Sequence, residues 1–359
     1  MRNGGWHAVQ RLVFSSARSL AGRVGESAAS AVSRGLPAVA GSPSPVIVCV
    51  HGFGGFRWQM APMAAALKSA GFVVYNYAYA ARKHTLEEHG VHFAEFLASV
   101  ASTPLNTSGS ASSASPCTST AAALTTERVP SSISFVTHSF GGVLLREALM
   151  GAAWQALRAT PVAARRGRAV CLGPPFGGVC MARGLRYRGD SDSDGRLPYR
   201  ILERLVRMAL GPGAGRQLLE MSREWFMARG GMPPHMPVLV IAGDIGRVNP
   251  LITEPMAATA DAQVASMRLQ RRVLPSDGVV GVHETYLPSR HMRLTLRVPH
   301  NMLLYAPAAI QATTRFLLAQ GDDDVAGLAW AAATTEPGVV GMVDEREAET
   351  LSPRLTGAR

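Results

Sequence analysis

Residues 133–142, Ile133-Ser134-Phe135-Val136-Thr137-His138-Ser139-Phe140-Gly141-Gly142, decide the reading of this chain. Five residues rich in β-branched and aromatic side chains predict a buried strand, and an apolar helical stretch over 141–158 follows it. A small-x-Ser-x-Gly sequence set between a strand and a helix is the context of a nucleophile elbow, a strained turn that lifts the serine above the sheet edge. Thr137 stands where that motif usually has its first glycine, and it is compact enough to fit. Read alone, Ser139-Phe140-Gly141-Gly142 also fits an ordinary glycine-rich turn.

A second stretch some 85 residues earlier supports the elbow: Val48-Cys49-Val50-His51-Gly52-Phe53-Gly54-Gly55, an apolar strand that ends in glycines. When a carbonyl is attacked its oxygen becomes an anion, and fixed backbone N–H groups stabilise that charge where water is excluded. Phe53, in this loop, and Phe140, after the serine, are the expected amide donors. The loop lacks the G-x-G-x-x-G spacing and the Lys-Ser/Thr pair of phosphate cradles.

A serine hydroxyl becomes a nucleophile when a base takes its proton and an acid holds that base in one tautomer. With the nucleophile first, the chain order is acid and then histidine. His300, in Val298-Pro299-His300-Asn301, lies just past the last expected strand and is preferred to His283 and His291. Two aspartates qualify as the acid: Asp277, in the turn Ser276-Asp277-Gly278, and Asp244, directly after a strand in Ile241-Ala242-Gly243-Asp244.

The rest of the chain alternates strand and helix. Strands are expected at Val46–Val50, Phe72–Tyr77, 168–172, Val238–Ala242 and Leu294–Val298, with helices over 59–70, 85–99 and 301–319. Such alternation predicts a mostly parallel, doubly wound α/β sheet covered on both faces. The domain is placed at 43–319. Residues 101–129, rich in Ser, Thr and Ala, are expected to form a disordered insert, and 320–359 a weakly ordered tail. Residues 179–236 fall where a lid would be inserted. Within them Ile201, Leu202, Leu205, Met208 and Ala209 make an apolar stripe between arginines, which fits a lid opening at a lipid surface and also, by the preferred reading, a helix packed on the core.

The formal net charge is +11, and all but Lys68 and Lys83 of the 36 basic residues are arginines. No nucleic-acid motif accompanies that charge, so nucleic acid is not an expected partner. Residues 1–42 carry Arg2, Arg11, Arg18, Arg23 and Arg34 against the single acid Glu26, among many Ser and Ala. That composition predicts an organelle transit peptide, mitochondrial or other, with a membrane-surface helix or an upstream start codon as competing readings and the cytoplasm as the alternative address. The four cysteines lack CxxC spacing, Cys49 and Cys171 fall inside apolar runs, and reduced thiols are expected. No cofactor or metal is expected: the acidic loop at 190–195 has Ile201 where a calcium loop needs its glutamate, and His84, His89 and His92 lack the spacing of a zinc site.

With these motifs in order, the chain resembles the lipase and esterase group of α/β-hydrolases. The resemblance rests on VHGFGG at 50–55, THSFGG at 137–142, LGPP at 172–175, IAGD at 241–244, NPL at 249–251, DGVVGV at 277–282 and PH at 299–300, broken by the low-complexity insert. It implies Asp277 rather than Asp244 as the acid, because that group carries it in the DG turn. It also implies a small-molecule or lipid ester substrate and a two-step route through an acyl-serine, while peripheral membrane contact is an expectation from the arginine-rich charge. The group's usual LGPPNQGS is Leu172-Gly173-Pro174-Pro175-Phe176-Gly177-Gly178-Val179 here, a different pocket wall. A thioesterase or amidase using the same groups, or a binding protein on the same fold, are the alternatives.

Overall fold

The computed structural model describes residues 45–55, 57–102, 132–151, 167–179, 196–246, 253–255, 271–319 and 340–343. The expected transit segment, the insert at 101–129 apart from its first two residues, and the acidic loop at 190–195 lie outside them.

Seven strands form one sheet in the order β2-β1-β3-β4-β5-β8-β9. They are β1 (Val46–Val50), β2 (Val73–Tyr77), β3 (Ile133–His138), β4 (Ala169–Leu172), β5 (Val238–Gly243), β8 (His291–Leu296) and β9 (Val340–Val343). The first six run parallel, and β9 closes one edge antiparallel to β8. Two short strands, β6 (Thr253–Pro255) and β7 (Arg271–Val273), pair antiparallel apart from it. This is the doubly wound α/β architecture expected of the sequence, in the arrangement of the α/β-hydrolase fold.

Burial explains the strands. Every residue of β1, β3, β4 and β5 is buried, as required of parallel strands covered on both faces, whereas the edge strand β2 is largely half-exposed. Alternate residues divide into two cores. Val46, Val48, Val50, Phe135, Cys171 and Val240 face α2 (Leu86–Ser102) and α3 (Phe140–Met150). Ile47, Cys49, Val136, Val170, Leu172 and Ile241 face α1 (Ala61–Ser69) and α7 (Pro307–Leu318). Cys49 and Cys171 are buried and unbridged, and burial pushes both thiols up to about 12, so they serve as apolar filling.

Local signals set the helix limits. Thr85 and Glu88 cap α2 reciprocally: the Glu88 amide donates to Thr85 Oγ1 at 3.2 Å and the Thr85 amide to Glu88 Oε2 at 2.9 Å. The helix expected over 301–319 is split by Pro307 into a 3-10 turn at His300–Leu304 and α7. Leu294–Val298 is corrected to His291–Leu296, since the chain leaves the sheet before Pro299. The tail after 320 is corrected at β9, where a short apolar run finds the open edge of β8.

Among the described residues three helices lie between β4 and β5: α4 (Arg196–Leu210), α5 (Ala214–Glu220) and α6 (Arg223–Met227). Ala214, Leu218 and Phe226 join the core that contains Tyr77, Leu86 and Phe140. The packed-helix reading of the α4 stripe is corrected: Ile201, Leu202, Leu205 and Met208 are exposed.

Phe135 lies in the interior strand β3 with no exposed surface. Phe135→Ala is expected to destabilise the fold by about 3–5 kcal/mol, read as a lower urea midpoint at unchanged slope.

Candidate active site

The chain passes from β1 outward to β2 and then crosses back to β3 on the other side of β1. The carboxyl ends of β1 and β3 therefore flank the point where the winding reverses, the position at which open α/β sheets form a ligand crevice. The two motifs singled out in the sequence sit there, one at the end of each strand.

Ser139 begins α3 with φ 53° and ψ −126°, the one non-glycine residue of positive φ among the described residues. Strain of this kind persists where the surroundings over-determine it. The Ser139 amide donates to the Leu172 carbonyl at 2.8 Å, and its carbonyl accepts from the Gly142 amide at 2.9 Å. A Cβ on Gly141 would stand 2.7 Å from the carbonyl oxygens of Val50 and His51, so only glycine lets α3 meet the end of β1. A Cβ on Gly142 would lie 2.8 Å from Pro174 Cβ and 3.3 Å from Thr137 Oγ1. The second glycine thus makes the room that Thr137 occupies, which is how the motif tolerates the missing first glycine.

The 51–55 loop lies directly against this turn. A Cβ on Gly52 would meet His138 Nδ1 at 2.9 Å and Ser139 Cβ at 3.0 Å, and the Phe53 and Phe140 rings touch edge to face at 5.5 Å. Phe140 opens α3, where the first N–H groups of a helix have no partner within it.

His300 follows β8 at the same sheet edge. Its Nδ1–H donates to Asp277 Oδ2 at 2.6 Å, and its amide donates to the Asp277 carbonyl at 3.1 Å. A carboxylate only accepts, so Nδ1 carries the proton and the Nε2 lone pair is available as a base. Asp277 is itself fixed: its Oδ1 accepts from the Val279 and Val280 amides at 2.9 and 2.7 Å, and the residue is 3% exposed. Gly243 leaves the space for it, since a Cβ there would fall 2.6 Å from Asp277 Cβ. Asp244 is not brought to His300; its Oδ1 accepts from the Gly246 amide at 2.9 Å in a turn of its own. The serine and histidine are tied through β4: Ser139 bonds to Leu172, and a Cβ on the next residue, Gly173, would lie 3.0 Å from His300 Nδ1.

Four contributors, His51, Tyr79, His138 and Arg146, were not singled out from the sequence. His51 stacks on Tyr79 at 4.4 Å, accepts at Nε2 from the Tyr79 amide at 3.4 Å, and donates from Nδ1 to the Gly52 carbonyl at 2.8 Å, while the Tyr79 hydroxyl donates to the His51 carbonyl at 3.0 Å. Burial lowers its pKa, so this neutral clamp holds the glycine loop. His138, buried beside the serine, donates from Nε2 to the His300 carbonyl at 3.2 Å, its ring 4.8 Å from that of His300. Desolvation, with repulsion from His300, lowers its pKa to about 3. Arg146, on α3, is fully buried over the Phe176 ring and donates to the Phe176 carbonyl at 3.2 Å, holding the 174–178 wall; burial lowers its pKa to about 10. His51 and His138 do stand inside the quoted motifs, but Tyr79 and Arg146 carry no local signal.

No family model matches the chain, and no curated protein matches it in sequence. Among solved structures it is similar to the propeptide form of the Bacillus licheniformis lipase BlEst2, at 17% identity over 80% of this chain and 53% of that one, TM-score 0.48. It is similar to the phospholipase PlaB of Legionella pneumophila at 13% identity over 81% and 63%, TM-score 0.49. The carboxylesterase CesB of Bacillus subtilis aligns at 14% identity over 77% and 85%, TM-score 0.38. The chain thus spans little more than half of that lipase and under two thirds of the phospholipase.

The neutral burial of His138 has a measurable consequence. Its folded pKa lies below the unfolded value of 6.5, so its contribution is present above pH 6.5 and is lost as pH falls toward 3. Urea unfolding between pH 7 and 4 is expected to show stability falling with acid, and His138→Gln to reduce that slope by up to about 1.4 kcal/mol per pH unit.

Proposed function

We propose that this protein is a serine hydrolase that cleaves a carboxylic ester through an acyl-enzyme, with Ser139 as nucleophile, His300 as base and Asp277 as its orienting acid. The observation that carries this reading is the conjunction at one crevice of a strained Ser139 turn, the His300–Asp277 bond at 2.6 Å and the Gly52 loop against Ser139 Cβ.

In the first step Ser139 Oγ forms a bond to the acyl carbon while its proton passes to His300 Nε2. The carbonyl oxygen takes the negative charge and accepts hydrogen bonds from the Phe53 and Phe140 amides. As the intermediate collapses the bond to the alcohol oxygen breaks, and the imidazolium returns the proton to that oxygen. Water, deprotonated by the same histidine, then attacks the acyl-serine; the bond between the acyl carbon and Ser139 Oγ breaks, the imidazolium returns its proton to Oγ, and the acid is released. Asp277 stays ionised throughout and stabilises the imidazolium that forms twice per turnover. Ala242-Gly243-Asp244 contributes differently: Gly243 admits Asp277, and Asp244 closes the neighbouring turn.

A fluorophosphonate probe is expected to label Ser139, and turnover of p-nitrophenyl esters to vanish in Ser139→Ala. A fully active alanine variant, or no labelling of well-folded protein, overturns the proposal. Rates on matched ester, thioester and amide substrates distinguish an esterase from a thioesterase or amidase on the same groups. Between the acids, Asp277→Asn is expected to lower kcat by about 10⁴, the cost of the wrong histidine tautomer in such triads, whereas Asp244→Asn should leave kcat within severalfold.

A further inference from the structure

Among the described residues eight large apolar side chains stand exposed, and four of them, Ile201, Leu202, Leu205 and Met208, lie within eight residues of sequence. These four belong to one helix. Ile201, Leu202, Leu205 and Met208 are 51, 41, 55 and 64% exposed on α4, while Glu203, Val206 and Leu210, on its other side, are half-buried. At 3.6 residues per turn Ile201, Leu205 and Met208 fall within an arc of about 60°, with Leu202 on one flank. Exposed Arg200 and Arg204 follow each other along the other flank. Arg207 continues that line and is held by Glu203 at 3.0 Å and by Glu220.

The helix is fixed in place at its carboxyl end. Arg82 Nη2 donates to the Met208 carbonyl at 2.8 Å, the Ala214 amide donates to the His84 carbonyl at 2.7 Å, and the Leu86 amide donates to Gln217 Oε1 at 2.7 Å. These bonds anchor α4 and α5 over the loop that follows β2, at the sheet edge that carries Ser139. An apolar row of this kind costs free energy in water unless something covers it.

We propose that α4 is a docking face for an anionic lipid bilayer. The apolar row would enter the boundary between headgroups and acyl chains, and Arg200 and Arg204 would meet the lipid phosphates beside it. A helix with an apolar face, a basic flank and low net hydrophobicity lies in the plane of a membrane surface in this manner. Charge complementarity selects this occupant. A second copy of the chain would set the same arginine row against itself, and the chain's net charge of +11 adds long-range attraction to an anionic surface. That the site beneath draws its ester from that bilayer rests on the hydrolase proposal; the docking itself does not.

The test uses the full chain carrying Ser139→Ala, so that binding is read without catalysis. It is sedimented with vesicles of phosphatidylcholine alone and of phosphatidylcholine with about 30 mol% phosphatidylglycerol. Binding to the anionic vesicles is expected, weaker at high salt, with little binding to the neutral ones. Ile201→Ser/Leu205→Ser/Met208→Ser and Arg200→Glu/Arg204→Glu should each bind about tenfold more weakly or worse, at unchanged melting temperature. The same substitutions on a Ser139 background should turn over a soluble short-chain ester at the parent rate, a readout that fails separately if the hydrolase reading is wrong. Equal binding of parent and variants, which would assign the attraction to the basic remainder of the chain, overturns the proposal. So does equal binding to both vesicle compositions, or light scattering that finds a dimer which the serine variant dissociates.

Discussion

The positive φ of Ser139 is the constraint on which the rest of the site depends. A side chain at φ 53° is held only if the neighbouring backbone leaves no relaxed alternative, and here that backbone comes from three parallel strands. The end of β1 reaches within van der Waals contact of Gly141, the carbonyl of Leu172 at the end of β4 takes the serine amide, and β3 supplies the turn itself. Each of these contacts needs the register of the sheet to be correct. The strain is therefore supported by the two hydrophobic cores that lock the register, Val46-Val48-Val50 on one face and Ile47-Cys49 on the other.

The same close approach accounts for the positions of the glycines. Gly52, Gly141, Gly142, Gly173 and Gly243 each lie where a Cβ would meet another part of the site at 3.0 Å or less. Together they let the loop after β1, the turn after β3, the wall after β4 and the acid-bearing turn converge on a volume too small for side chains at those points. Electrostatics then follow from packing. His51 and His138 are buried without a full carboxylate partner and stay neutral, so the one histidine given an acid is His300. Three histidines in one crevice thus differ in their partners: His300 meets Asp277, and His51 and His138 meet backbone groups.

Much of this was legible in the sequence because it is local. An apolar run of five residues followed by glycines, or by a serine and glycines, specifies a strand and a tight turn through steric terms that involve only near neighbours. The strand limits of β1 and the candidacy of Ser139 were readable on that ground, and His300 was a candidate through its place just past an expected strand. The residues by themselves left Asp277 and Asp244 open, for both lie in glycine-containing turns, and it was the resemblance that favoured Asp277. The fold brings one of them to the 3-10 turn at His300: the Asp277 carboxylate accepts from His300 Nδ1, a contact across 23 residues of chain. Tyr79 and Arg146 were not readable, since each acts through a partner that only the fold brings near: His51 for one, Phe176 for the other.

The α4 stripe and the β9 strand mark the boundary most plainly. Helical periodicity gives the stripe, but whether an amphipathic face turns inward or outward depends on whether the core beside it has room. Tyr77, Leu86, Ala214 and Phe226 already fill that core, and the stripe is left in solvent. A four-residue apolar run near the carboxyl terminus carries no sign of its own that it will be a strand; it becomes one because β8 offers an unpaired edge. The sequence by itself determined the alternation of elements, the elbow and the candidate nucleophile, because short-range sterics and hydrophobic period act along the chain. The tertiary structure decided which aspartate meets His300, the clamp on the glycine loop and the exposed helix face, because those depend on which distant surfaces are brought together and which are left without a neighbour.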